Sequence, residues 1–113
     1  MGSSVAFKPH GLDAASVIAR LRGELRSHFG SRLKRAVLFG SRARGVARDD
    51  SDYDVAVFLH PYLGRSREMD AWAEVAQALL EETGAFVTLI PYPENYDASS
   101  PLMVAIQEDG VSI

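Results

Sequence analysis

The chain of 113 residues contains no cysteine. That excludes a disulfide framework, a thiolate metal site and a thiol nucleophile, and it suits a reducing compartment such as the cytoplasm. No apolar run approaches the ~18 residues that a membrane-spanning helix needs. The first eleven residues, MGSSVAFKPHG, lack the apolar core of a signal peptide. A cytoplasmic location without membrane attachment is therefore expected. Basic residues are scarce in the second half. Residues 49–113 hold thirteen acids but only Arg65 and Arg67, whereas residues 1–48 hold ten of the twelve Lys/Arg and only Asp13 and Glu24 as acids. So segregated a cation set suits phosphates or an acidic partner, unless the fold interleaves the halves and cancels the field. The basic segment has few aromatics, so direct nucleic-acid binding is not expected. His10, His28 and His60 are isolated from one another and from any carboxylate at metal-ligand spacing, and read as surface or boundary residues.

What the chain does have is an ordinary globular composition, 47% apolar and 24% charged, enough for one small core and one domain. Residues 1–12, with Pro9 and Gly11, read as an irregular arm, and 13–113 as the domain. Asp13 is the expected N-cap of a helix to about Phe29, with Ala14, Ile18, Leu21, Leu25 and Phe29 on its apolar stripe and Gly30 as its stop. Leu33 to Phe39 reads as a strand, Arg42 to Val46 as a helical turn, and Asp49, Asp50 and Ser51 as turn formers. Asp52 to Leu59 reads as a second strand, ended by His60-Pro61. Ser66 is the expected cap of a helix from about Arg67 to Thr83, whose apolar stripe is Met69, Trp72, Ala73, Ala76, Leu79 and Leu80. Ala85 to Tyr92 reads as a third strand, cut off by Pro91 and Pro93. After a polar loop, Pro101 to Glu108 forms a short last helix. The fold class is α/β or α+β: a small mixed sheet covered by helices, mainly on one face.

The chemistry concentrates between Gly40 and Asp54, GSRARGVARDDSDYD. A strand that ends in Gly-Ser and turns tightly points its backbone N–H groups at an anion. Gly40 admits a phosphate without a Cβ in the way, Ser41 offers a hydroxyl, and Arg42 or Arg44 offers charge-assisted hydrogen bonds. Asp52 and Asp54, at i and i+2 on a strand, share a face with Cα atoms ~6.5–7 Å apart. Their oxygens can converge on a hard cation such as Mg²⁺, which is normally completed by substrate phosphates and water. Asp-X-Asp alone is common in turns. Here Gly40-Ser41 and Asp52 are separated by ten residues, and both ends lie on apolar strands.

The segment LFGSRARGVARDDSDYDVAVF resembles the signature of the minimal nucleotidyltransferases, the smallest members of the DNA-polymerase-β-like nucleotidyltransferase fold. Gly40-Ser41, ten residues, then Asp52-X-Asp54 is the family spacing. The Ala43-Arg44-Gly45 continuation, Ser51 and a C-terminal Ile-X-X-X-Gly-Val from Ile106 to Val111 are similar as well. The resemblance implies a nucleotidyltransferase fold and transfer of a nucleoside monophosphate from a nucleoside triphosphate to a hydroxyl, with release of pyrophosphate. It implies Asp52 and Asp54 as metal ligands and catalytic residues, Gly40, Ser41, Arg42 and Arg44 at the nucleotide, and Mg²⁺ with ATP as the ligands. It further implies an antitoxin of the kind paired with HEPN-domain ribonuclease toxins, which AMPylates a tyrosine hydroxyl of its partner within a hetero-oligomer.

The chain departs from the wider superfamily at one point. A third carboxylate is usual on the next core strand, and the residue that aligns with it in AFVTLIPY is Thr88. Three readings stay open: two aspartates with a metal-activated acceptor, substitution by Glu94 or another acid, or a domain that neutralises its partner by binding alone. Transfer to a small-molecule hydroxyl is a further alternative, although the sequence has no additional domain to hold one.

Overall fold

A computed structural model describes residues 13–45, 52–96 and 98–113. The expected arm at 1–12, the turn formers Asp49 and Asp50, Val46, and Ser51 lie outside the described residues.

The first helix, α1 (Ala14–Phe29), begins where expected. The Asp13 carboxylate accepts from the Ser16 N–H at 2.9 Å, one of the four donors that a helix start leaves unpaired. Its buried stripe is Val17, Leu21, Leu25 and Phe29. This is a row at four-residue spacing, rotated slightly from the expected one, so that Ala14 is exposed and Ile18 only half-buried. Gly30, at φ +55°, opens a single 3₁₀ turn (Gly30–Arg32) that leads into β1 (Leu33–Phe39). One helical turn, α2 (Ser41–Arg44), connects it toward β2 (Tyr53–Leu59). Then come α3 (Arg65–Thr83), β3 (Val87–Pro93), α4 (Pro101–Asp109) and a two-residue strand, β4 (Val111–Ser112), which was not expected from the sequence.

The sheet order is β3-β2-β1-β4. β1 pairs antiparallel with both β2 and β4, and β2 pairs parallel with β3, with α3 as the crossover. The expected mixed sheet is thus present. Strand alternation sorts the core into two sides. Tyr53, Val55, Val57 and Leu59 of β2 pack with Ala36 and Leu38 under α1 and α3. Ala56 and Phe58 face the other way, with Val37 and Tyr92, and are covered by Met103 and Ile106 of α4. Ser100 caps that last helix by accepting from the Met103 N–H.

Two elements differ from the sequence expectation. Gly64, not Ser66, precedes α3, and no side chain caps it. The helix buries Glu68, Val75, Leu79 and Thr83, while Met69, expected in the core, is 50% exposed. The reason is Glu68. Its carboxylate pairs with the Arg32 guanidinium and accepts the Leu63 N–H at 2.8 Å, while Arg32 also donates to the Pro61 carbonyl at 3.1 Å. A partner in the 3₁₀ turn lets a carboxylate occupy an inward position and sets the helix's rotation. Pro91 and Pro93 lie within β3 instead of ending it. The strand is at the sheet edge, and the Glu94 N–H reaches the Leu59 carbonyl at 2.9 Å. Alternation then turns the nitrogens of residues 91 and 93 away from β2, where a missing N–H breaks no ladder bond.

Arg32→Ala leaves the Glu68 carboxylate buried without its cation. Losing one partner of a buried pair costs about 3–5 kcal/mol. Because the Arg32 side chain keeps 24% exposure, the loss is expected near the lower end, read as a lower urea midpoint at unchanged m-value, with Glu68→Gln losing less.

Candidate active site

The turn after β1 meets the start of β2. Antiparallel register sets Phe39 opposite Asp54, so Gly40, the next residue, closes against the Asp54 side chain. Gly40 has φ +76° and ψ −157°, a region open essentially to glycine alone. A Cβ there would lie 2.5 Å from Asp54 Oδ2. Both constraints require glycine, and together they bring the carboxylate up to the backbone of the turn. The Gly40 carbonyl accepts from the Ala43 and Arg44 N–H groups at 3.1 and 3.2 Å, and Gly45 ends the turn in the left-handed conformation.

Asp54 is half-buried, and Asp52 stands exposed just before β2 instead of within it. Burial pushes the Asp54 carboxyl above its ordinary value, and the Asp52 charge adds to the rise. Two carboxylates that repel each other, one partly desolvated, form a donor set that a divalent cation relieves. The cradle at Gly40 and these hard oxygens fit magnesium and the phosphates of a nucleotide. Among the described residues there is no group of three or more His, Cys, Asp or Glu placed to hold a metal by themselves.

Thr88 pairs with Asp54 across β2 and β3. Further along, Ala56 and Phe58 share one cluster with their register partners Ile90 and Tyr92, so Asp54 and Thr88 lie on that same face. Thr88 is exposed and neutral. Glu94, one of the expected substitutes for an acid here, is anchored to Leu59 at the opposite end of the sheet. Five residues of strand separate that point from Asp54, about 16 Å by the rise per residue. Glu94 is therefore excluded as a stand-in.

The two arginines separate. Arg44 is exposed. Arg42 lies over the Tyr53 ring, its Cζ 4.2 Å from the centroid. Tyr53 points to the face opposite Asp54, so this contact lies on the core face of β2. The contact between Arg42 and Tyr53 has no signature in the sequence. Burial raises the Tyr53 hydroxyl above its ordinary value, Arg42 opposes the rise and Asp13 adds to it.

The family described as polymerase beta, nucleotidyltransferase matches residues 24–112. The chain belongs to this nucleotidyltransferase family. The match takes in both strands, the turn between them and the C-terminal segment. Solved structures agree on the fold. A chain of a toxin–antitoxin complex with AMP-PNP is 24% identical, with TM-score 0.62 over 83% of this chain and 69% of that one. A chain of the complex between a tri-AMPylated HEPN toxin of Shewanella oneidensis and its MNT antitoxin is 21% identical, with TM-score 0.58 over 87% and 69%. A protein assigned as a minimal nucleotidyltransferase is 26% identical, with TM-score 0.61 over 91% and 98%. No curated protein sequence matches the chain. Within this nucleotidyltransferase domain, no helix among the described residues is long and apolar enough to cross a membrane.

Two outcomes follow from the geometry. Gly40→Ala is expected to cost about 1–3 kcal/mol through the backbone conformation alone and to displace the Asp54 carboxylate, read by urea unfolding and by the Asp54 side-chain NMR signal. The sign of the pH effect comes from the raised Asp54 value. A carboxyl easier to protonate in the folded state favours folding at low pH, and that contribution is lost as pH rises through its folded value. Asp54→Asn is therefore expected to be more stable than the parent at pH 7, with the gain fading as pH falls through the raised folded value and gone below the ordinary carboxyl value of 3.8.

Proposed function

We propose that this protein is a nucleotidyltransferase-type antitoxin that transfers AMP from ATP to a tyrosine hydroxyl of a HEPN-family toxin. The observation that carries the reading is the closure of Gly40 on Asp54, in a chain that belongs to the nucleotidyltransferase family. The fold neighbours that are toxin–antitoxin complexes, one with AMP-PNP and one with an AMPylated HEPN toxin, support the choice of nucleotide and acceptor.

In this reading the N–H groups of the turn and the Ser41 hydroxyl hold the triphosphate, and the exposed Arg44 adds charge at its rim. Asp52 and Asp54 hold the metal. Magnesium, when bound, supplies charge neutralisation on the phosphates and lowers the barrier to attack. The acceptor oxygen bonds to the α-phosphorus as the bond to the bridging oxygen breaks, the tyrosine proton passes to solvent or to a phosphate oxygen, and pyrophosphate leaves. Exposed Thr88 leaves the acceptor side of Asp54 open to a partner's side chain. The partner brings the acceptor, and the two chains act as a hetero-oligomer.

Thr88 also favours a second reading, in which the domain neutralises its partner by binding alone. A threonine cannot take the acceptor proton at pH 7, and a positioned base contributes about 10²–10⁴-fold in rate.

The test uses the purified HEPN partner with labelled ATP and Mg²⁺. Label is expected on the partner's tyrosine, with Asp52→Ala or Asp54→Ala reducing it to background; undiminished labelling by the double variant would falsify the roles given to the two aspartates. Thr88→Asp is expected to raise the single-turnover rate. Neutralisation that survives in the double variant, without labelling, identifies the second reading.

A further inference from the structure

A second charged feature lies at the other end of β1. A cleft of about 210 Å³ opens between α1 and the first residues of β1, with Arg22, Arg26 and Lys34 at its rim and Leu25, Ala36 and Ile113 among the residues that line it. Arg22 and Arg26 are one turn apart on α1, so both guanidinium groups belong to one side of the helix. Lys34 is the extra residue of a bulge: Leu33 lies opposite Leu59 and Arg35 opposite Phe58, which leaves Lys34 without a partner across the ladder. Bulges of this kind re-aim a side chain. Arg35 is committed elsewhere, its Cζ 4.1 Å from the centroid of the Phe58 ring on the far face.

The other cations nearby are compensated. Arg20 pairs with Glu82 and Arg32 with Glu68. Glu24 of α1 and Glu74 of the facing helix both approach His28. Arg22, Arg26 and Lys34 have no ion pair among the described residues. Three like charges around one small cleft repel one another, and an anion placed between them removes that cost. The basic half of the sequence is thus not cancelled here by the acidic half.

We propose that this cleft is a binding site for a phosphate-class anion, separate from the Gly40–Asp54 site. Three observations select the class. The charge of three cations exceeds what one carboxylate offers and matches a phosphate or diphosphate. Two guanidinium forks suit tetrahedral oxyanions bidentately. The volume lies below the ~300–1,000 Å³ of a site for a drug-sized ligand, and none of the lining residues is aromatic, so no platform for stacking nucleic-acid bases is present. The separation from the candidate active site is also physical. The cleft is at the start of β1 on the α1 face, whereas Gly40 follows its last residue and Asp54 faces the other way.

Inorganic pyrophosphate is the probe, titrated without Mg²⁺ into the full chain and followed by backbone amide NMR, with ADP as a second arm. Saturable shifts are expected at residues 22, 26 and 34. Arg22→Gln/Arg26→Gln should weaken binding by about tenfold or more, while Asp52→Asn/Asp54→Asn leaves it unchanged. Arg26 is exposed and Arg22 half-buried, and Lys34→Gln, at an exposed position, provides an independent weakening if the double variant does not fold. Equal shifts with ADP mean that phosphate alone is read; tighter ADP binding means that the apolar floor takes the nucleoside. Binding that persists in the arginine and lysine variants, or that needs the two aspartates, overturns the site. A glutamate-rich peptide or an RNA oligonucleotide that binds more tightly than pyrophosphate overturns the ligand class. Since the active-site variants are scored separately, this site and the transferase reading stand or fall independently.

Discussion

The register between β1 and β2 is the constraint on which the candidate active site depends. It pairs Phe39 with Asp54 and so delivers the turn at Gly40 to one particular carboxylate. A slip of one residue would turn Asp54 into the core and bring Tyr53 out, because side chains alternate. The register is held by the core itself. β2 is buried on both faces, with Val55, Val57 and Leu59 against α1 and α3, and Ala56 and Phe58 against α4. Each face rejects a charge, and Asp54 is tolerated only at the strand's open end. The site is thus placed by hydrophobic burial several residues away from it.

The raised Asp54 carboxyl expresses the same arrangement electrostatically. Burial and the Asp52 charge both work against ionisation, so the chain alone holds its two carboxylates at a free-energy cost. Such sites occur where a ligand restores the balance. Arg42, one residue beyond Ser41, packs its guanidinium on Tyr53, whose ring faces away from Asp54.

Much of this was legible in the sequence, for local reasons. Asp13 as cap, Gly30 as stop, Pro101 at the start of α4 and the apolar runs of β1 and β2 are short-range signals. The contact between Gly40 and Asp54 follows from a spacing that lets two strands form a pair around the turn. What escaped depends on partners distant in sequence. The rotation of α3 is set by Arg32, which allows Glu68 inside and sends Met69 out. β4 has only two residues and takes its identity from β1. Thr88 as the neighbour of Asp54, and Glu94 at the wrong end, depend on a parallel register that no local pattern encodes. The contact of Arg42 with Tyr53 is a side-chain choice that composition does not decide.

The prolines of β3 have a consequence beyond their own strand. A sheet edge normally presents a row of N–H and C=O groups to any passing strand. At β3 the outward positions 91 and 93 carry no N–H, so that edge offers acceptors without donors over the strand's second half. The opposite edge is different: β4 covers only Val37 and Leu38, with one more bond from Ile113 to Ala36, and the beginning of β1 extends past it. Among the described residues the two edges of the sheet therefore differ: the second half of β3 lacks outward donors, while the first residues of β1 run past β4.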